Sequence, residues 1–266
     1  MDDGVEAQRT VMERTYGDRT DARWAFHYTS DPLTRYLRDR RLTIALRILR
    51  RHGRLDPARQ RVLLVCGGIG GEGTFLRDAG FRDVTVSDLS EQALRRCEQF
   101  DPRLRTRRLN AEDMTEVDDG AYDVVLVQDG LHHLPRPTLG FTEMLRVARE
   151  AVVVIEPHYG MVGKVMGTEW ETQGDAVNYV FRWNRPMLEQ ATRSYLLSRD
   201  AVVVTHRLWD HSLLLGRAVG RLPAAVRPVA ARAAYAALTP LGRCGNMMVG
   251  VVLKPGGPPP PRLVEH

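Results

Sequence analysis

Lysine is nearly missing from this chain of 266 residues; Lys164 and Lys254 are the only two, and all other basic side chains are arginine. A GC-rich coding sequence gives that bias unaided, so the formal charge of +5 does not itself call for an anionic partner. Cysteine is scarce too. Cys66, Cys97 and Cys244 are too few and too scattered for a disulfide framework or a zinc site, and no metal is expected. No apolar run reaches the roughly 18 residues a membrane span needs. The polar, acidic start MDDGVEAQRT lacks the basic-then-apolar order of a signal peptide, so a cytoplasmic location is expected. Acid is absent between His211 and Lys254, where Arg217, Arg221, Arg227, Arg232 and Arg243 accumulate. That segment reads either as solvated faces of amphipathic helices or as a positive surface for an anionic substrate or lipid headgroup. No stretch of the chain interleaves basic and aromatic residues in the manner that suggests base stacking, so a nucleic-acid partner is not expected.

What is present is a soluble globular composition, 43% hydrophobic and 27% charged, long enough for one large or two small domains. Residues 1–59 read as a helical cap, with Leu37, Leu42, Ala45, Ile48 and Leu49 on one face of a helix ending at His52-Gly53. From residue 60 the period changes. Strands at 61–66, 84–88, 104–109, 122–128 and 151–156, the third of them weaker, alternate with helices at 71–79, 90–100 and 139–148, with Ser90 as an N-cap. This alternation predicts an α/β core over 60–156 with a parallel sheet covered on both faces. Residues 157–200 read as an inserted cap of helices and loops, and 201–254 as two closing strands around an arginine-rich helical region. The Pro-rich tail, 255–266, is expected to be disordered.

The turn after the first strand, Cys66-Gly-Gly-Ile-Gly-Gly-Glu-Gly73, lets a backbone approach a ligand closely at a helix N-terminus. Gly68, Gly70 and Gly73 satisfy G-x-G-x-x-G, and Asp88 ends the next strand, placed for ribose hydroxyls. These features suit a nicotinamide cofactor and S-adenosylmethionine (SAM) alike. An oxidoreductase of the short-chain type needs Tyr-x-x-x-Lys, and Tyr159 and Lys164 are one residue too far apart.

Three later segments complete the pattern: Leu109-Asn-Ala-Glu-Asp-Met114, Tyr122 to Leu134 with Gln128 and His132-His133, and Glu143 to Glu156-Pro157. The ordered set resembles the class I SAM-dependent methyltransferases, in particular the bacterial small-molecule enzymes, over about residues 60–157. The resemblance implies a Rossmann-like seven-stranded, mostly parallel sheet with a final antiparallel hairpin, and SAM as cofactor. It also implies that Gly68 and Gly70 line the methionine part and that Asp88 holds the ribose. Asn110, where the family usually has Asp, and the Ala111 amide would meet the adenine, with Gln128 under the cofactor. Cys66, Gly67, Leu89 and His133 complete the expected shell. Leu64 and Cys66 depart from the family's acidic residue and first glycine.

Methyl transfer needs alignment and at times a proton acceptor. His133 and His158 follow strand ends and are the candidate bases, with Glu156 and Glu169 as further catalytic candidates. All four tryptophans lie outside 60–156. Trp24, Tyr28, Tyr159, Trp170, Tyr179 and Trp183 are candidates for an aromatic-walled acceptor site, and Arg217 for an anionic group on the substrate. Two acceptor classes follow: an oxygen or nitrogen of a natural-product-like small molecule, and an alkene of a short prenyl diphosphate methylated through a carbocation. A non-catalytic SAM-binding regulator is the third alternative.

Overall fold

The computed structural model describes residues 3–17, 32–161, 165, 168–173, 176–209, 218–223 and 225–256. The chain opens with two helices, α1 (Asp3–Gly17) and α2 (Pro32–Arg51). An alternating series follows: β1 (Arg61–Val65), α3 (Gly71–Asp78), β2 (Asp83–Asp88), α4 (Glu91–Phe100), β3 (Arg105–Arg108) and β4 (Tyr122–Gln128). After a single 3-10 turn, Leu131–His133, come α5 (Pro137–Val147) and β5 (Ala148–Pro157). A small hairpin, β6 (Trp170–Gln173) with β7 (Ala176–Tyr179), precedes α6 (Arg185–Leu196). The insertion therefore contains strands where only helices and loops were expected. β8 (Val202–Leu208), α7 (Arg227–Ala237) and β9 (Met247–Leu253) close the chain. Among the described residues no helix is long and apolar enough to cross a membrane. The expected disordered tail lies outside the described residues from 257 onward.

Seven strands form one sheet in the order β3-β2-β1-β4-β5-β9-β8. The first five pair in parallel, and β9 runs antiparallel to both β5 and β8, which is the expected final hairpin. Strand alternation divides the core. Val62 and Leu64 join Val124 and Leu126 under α2, α3 and α4, while Leu63 and Val65 join Val125 and Val127 under α5 and α6. Both faces are covered, so β1 is apolar throughout after Arg61. The order turns back between β1 and β4, and the crevice for a ligand opens there at the carboxyl ends of the strands.

Polar contacts to α4 fix α1 over that crevice. Glu13 accepts hydrogen bonds from Glu91 N (2.8 Å) and Gln92 N (3.1 Å), and so caps the N-terminus of α4, where negative charge is favoured. Arg96 in turn donates to Gly17 O at 3.0 Å.

Candidate active site

A cavity of about 400 Å³ lies at the carboxyl ends of β1, β2 and β4, beneath α1. Its back wall is the β1–α3 turn. Cys66 and Gly68 both have φ of 52°, and Gly70 has φ of 83°. A side chain at Gly67 would stand 2.7 Å from Val86 Cγ1, and one at Gly68 would stand 2.8 Å from the Tyr16 hydroxyl. Close approach to Val86 thus favours glycine at 67, and the left-handed backbone favours it at 68. Cys66 lines the cavity, whereas Gly67, Gly68 and Gly70 shape the turn behind it. Cys66 tolerates the left-handed backbone as a non-glycine residue, and burial together with the Asp88 and Glu156 carboxylates pushes its thiol pKa up, so it stays protonated.

Asp88 and Leu89 come next around the wall. One Asp88 oxygen accepts from Gly68 N and the other from Ser90 N, both at 2.9 Å. Leu109, Asn110 and Ala111 follow. Asn110 Oδ1 accepts from Glu112 N at 3.1 Å, an Asx turn that fixes the loop. Gln128 ends β4, its amide donating to the buried Glu72 at 3.0 Å while its Oε1 accepts no hydrogen bond among the described residues. These six, Cys66, Asp88, Leu89, Asn110, Ala111 and Gln128, are brought together as the sequence implied, with His133 beside them.

The mouth is built by a carboxylate that does not itself reach the cavity. Glu156, fully buried at the end of β5, accepts from Gly130 N (2.9 Å) and Leu131 N (2.8 Å) with one oxygen. The other lies 2.6 Å from His132 Nδ1. Burial alone would lower the His132 pKa, but the Glu156 carboxylate outweighs it and lifts the pKa to about 9. Glu156 is therefore a holder of the 130–132 turn, which corrects its place among the catalytic candidates. Asn178 of β7 donates to His132 O at 2.7 Å and ties the hairpin to the same turn.

His133, the next residue, faces Glu171 of β6, with Nδ1 and Oε2 3.5 Å apart, and both line the cavity. His132, His133 and Glu171 hold their donor atoms within 4.8 Å of one another. A cation there would have three ligands, provided His132 gave up the proton that Glu156 favours.

The other candidates lie elsewhere. His158 is buried outside the cavity lining, and burial with the neighbouring Arg207 lowers its pKa to about 4. Glu169 is exposed and does not line the cavity. Trp183 is 1% exposed and packs on Phe141 and Phe181 at centroid distances of 5.2 and 4.9 Å, so it is core. Trp170 (61% exposed) and Tyr179 (47%) stack edge-on across the hairpin, and neither lines the cavity. Strand alternation explains this: Glu171 and the buried Asn178 point inward, so their neighbours Trp170 and Tyr179 point out. Tyr159 is also exposed and off the lining. Trp24, Tyr28 and Arg217 lie outside the described residues.

The sequence reading placed residues 1–59 in a helical cap but named none of the α1 residues that line the cavity. Gln8, Met12, Thr15 and Tyr16 line the cavity, at the i, i+4, i+7, i+8 spacing of one helix face. The face mixes polar and apolar residues, so hydrophobic periodicity did not mark it. Also missed was Asp129, a left-handed residue (φ 52°) on the lining whose carboxylate pairs with the buried Arg41 of α2.

Comparison with known proteins relates this arrangement to a known fold and domain. Residues 64–155 match the family described as a methyltransferase domain. Curated proteins give no match by sequence. Among solved structures, the chain is similar to a possible histamine N-methyltransferase from Thermotoga maritima, with TM-score 0.57 and 13% identity, covering 92% of this chain and 99% of that one. It is also similar to magnesium protoporphyrin IX methyltransferase from Synechocystis, solved with bound SAM (TM-score 0.55, 12% identity, 93% and 97% covered). A SAM-dependent methyltransferase from Archaeoglobus fulgidus follows at TM-score 0.52 and 16% identity, with 80% and 94% covered. At these identities the neighbours show the fold, and the matched segment shows a methyltransferase domain.

Proposed function

We propose that this chain, a SAM-dependent methyltransferase of the class I fold, methylates an oxygen or nitrogen of a small-molecule acceptor bound where His133 and Glu171 meet. The observation that carries the reading is the single cavity shared by the cofactor-side residues and this His–Glu pair. The residues suit SAM. Asp88 offers its carboxylate to the ribose hydroxyls, the Ala111 amide and Asn110 meet the adenine edge, and the unused Gln128 Oε1 suits the ammonium of the methionine part. Bound SAM supplies a methyl group activated on a sulfonium. The protein's part is to exclude water, orient the acceptor and take its proton. With its Nδ1 side toward Glu171, His133 receives that proton at Nε2, and the carboxylate stabilises the imidazolium formed.

Alkene methylation of a prenyl diphosphate draws less support. Among the described residues the cavity is lined by no arginine, and Tyr16 is its one tyrosine, phenylalanine or tryptophan. Incubation with methyl-labelled SAM and panels of phenols, amines and prenyl diphosphates tests the choice. Label is expected in a phenol or amine, and His133→Ala should lower kcat by about a hundredfold or more with SAM affinity kept. Label confined to the diphosphates overturns the reading, and tight SAM binding with no transfer to any acceptor points to a regulator.

A further inference from the structure

A second, larger recess of about 800 Å³ shares no lining residue with the cofactor cavity. One face of α2 forms its floor, with Ile44 and Ile48 at the apolar centre, and β8 and α7 contribute His206 and Arg232. Arg40, Arg47 and Arg51 follow one another at helical spacing, so positive charge runs along about 16 Å of this face. Arg35 stands near its start.

The charge there is left uncompensated. Asp39 is the one carboxylate on the lining, and Arg38 occupies it at 2.7 Å. Among the described residues, Arg35, Arg47, Arg51 and Arg232 pair with no acid. Some exposed arginines elsewhere are matched, Arg103 by Asp78 and Asp101, Arg105 by Asp83 and Arg108 by Glu91. Others, such as Arg82 and Arg193, pair with no acid among the described residues; what sets the groove apart is that its unmatched arginines share one recess. Arg40 is fixed in place by donating to Trp209 O at 3.1 Å, with its guanidinium 5.7 Å from the Tyr235 ring centroid. Burial, helped by Arg40, Arg47 and Arg51, also lowers the His206 pKa and keeps that ring neutral. Like charges gathered in a recess repel one another and raise the local concentration of anions.

We propose that this groove binds a phosphate-bearing group, with the guanidinium groups of Arg47, Arg51 and Arg232 holding its oxygens and Ile44 and Ile48 receiving attached carbon. Guanidinium forks match phosphate oxygens in pairs, and the apolar floor suits attached carbon. A free phosphorylated molecule and a lipid headgroup share this chemistry. Leu222, Val226 and Val229, exposed on the segment that carries Arg232, fit the headgroup source.

Calorimetric titration of the full chain with inorganic pyrophosphate at low salt tests the site. Arg47→Glu with Arg51→Glu should weaken binding about tenfold or more, since reversal replaces attraction by repulsion. Arg82→Glu with Arg193→Glu, an equal charge change at exposed positions off the groove, should leave it unaltered. Arg232→Glu gives the same reading from a different element, and unchanged SAM affinity reports that each variant is folded. Co-sedimentation with phosphatidylcholine vesicles, with and without phosphatidylglycerol, separates the sources: vesicle binding lost in the groove variants, without pyrophosphate binding, assigns the headgroup. Equal weakening by the control pair, or no binding of either probe by the wild type, overturns the proposal.

Discussion

The two recesses handle charge in opposite ways. Around the cofactor cavity three buried carboxylates are engaged by the protein itself: Asp88 by two backbone amides, Glu156 by two amides and His132, Glu112 by Arg136. In the groove, Arg38 takes the one lining carboxylate, Asp39, and among the described residues Arg35, Arg47, Arg51 and Arg232 pair with no acid. Burial decides the difference. A carboxylate removed from water must be compensated at once, whereas a solvated arginine can wait for its partner. The first region is therefore organised before any ligand arrives, and the second is electrostatically incomplete.

The contrast is broken most severely at Glu156. Glu156→Gln should lower unfolding free energy by about 3 kcal/mol, read from urea midpoints, because it leaves a buried imidazole and two amides poorly matched. The pH dependence sharpens the point. Since the folded-state His132 pKa is raised to about 9 from 6.5, the pair's stabilisation is complete below pH 6.5 and is lost as pH rises through 9. The Gln variant should lack that slope. An unmoved midpoint would mean that the pair is idle.

Next in size is Asp88→Ala, expected to cut SAM affinity about a hundredfold by calorimetry, since charged hydrogen bonds to both ribose hydroxyls disappear. It should also cost about 1–2 kcal/mol of stability, because the Gly68 and Ser90 amides lose their acceptor. Normal SAM binding would show that the ribose lies elsewhere. The smallest effect is expected at Tyr16→Ala. Removing the ring that lies against Gly68 should weaken SAM binding about fivefold if α1 closes the cavity, an effect of about 1 kcal/mol. The groove variants should leave SAM affinity alone, which keeps the two regions distinct.

Much of the core could be read directly from the residues. Tyr122–Gln128 appears with its expected ends, the two closing strands form within 201–254, and Ser90 caps α4 by accepting from Ala93 N at 3.2 Å. That Asp88 and Asn110 share one cavity beside the glycine turn was legible for the same reason: all follow the carboxyl ends of strands. Glu156 was misread because its position at a strand end suits a catalytic acid and a buried brace equally. Trp183 was misread because composition cannot tell a core tryptophan from a pocket wall.

The lysine-poor, arginine-rich composition illustrates the same division. The sequence by itself determined the α/β alternation, the glycine turn and the acid-free stretch, since these rest on local period and backbone sterics. Only the tertiary structure decided which arginines share a groove, that α1 closes over Asp88, and that Glu171 meets His133. Those contacts join segments distant in the chain, and no local pattern records which surfaces the packed helices bring together.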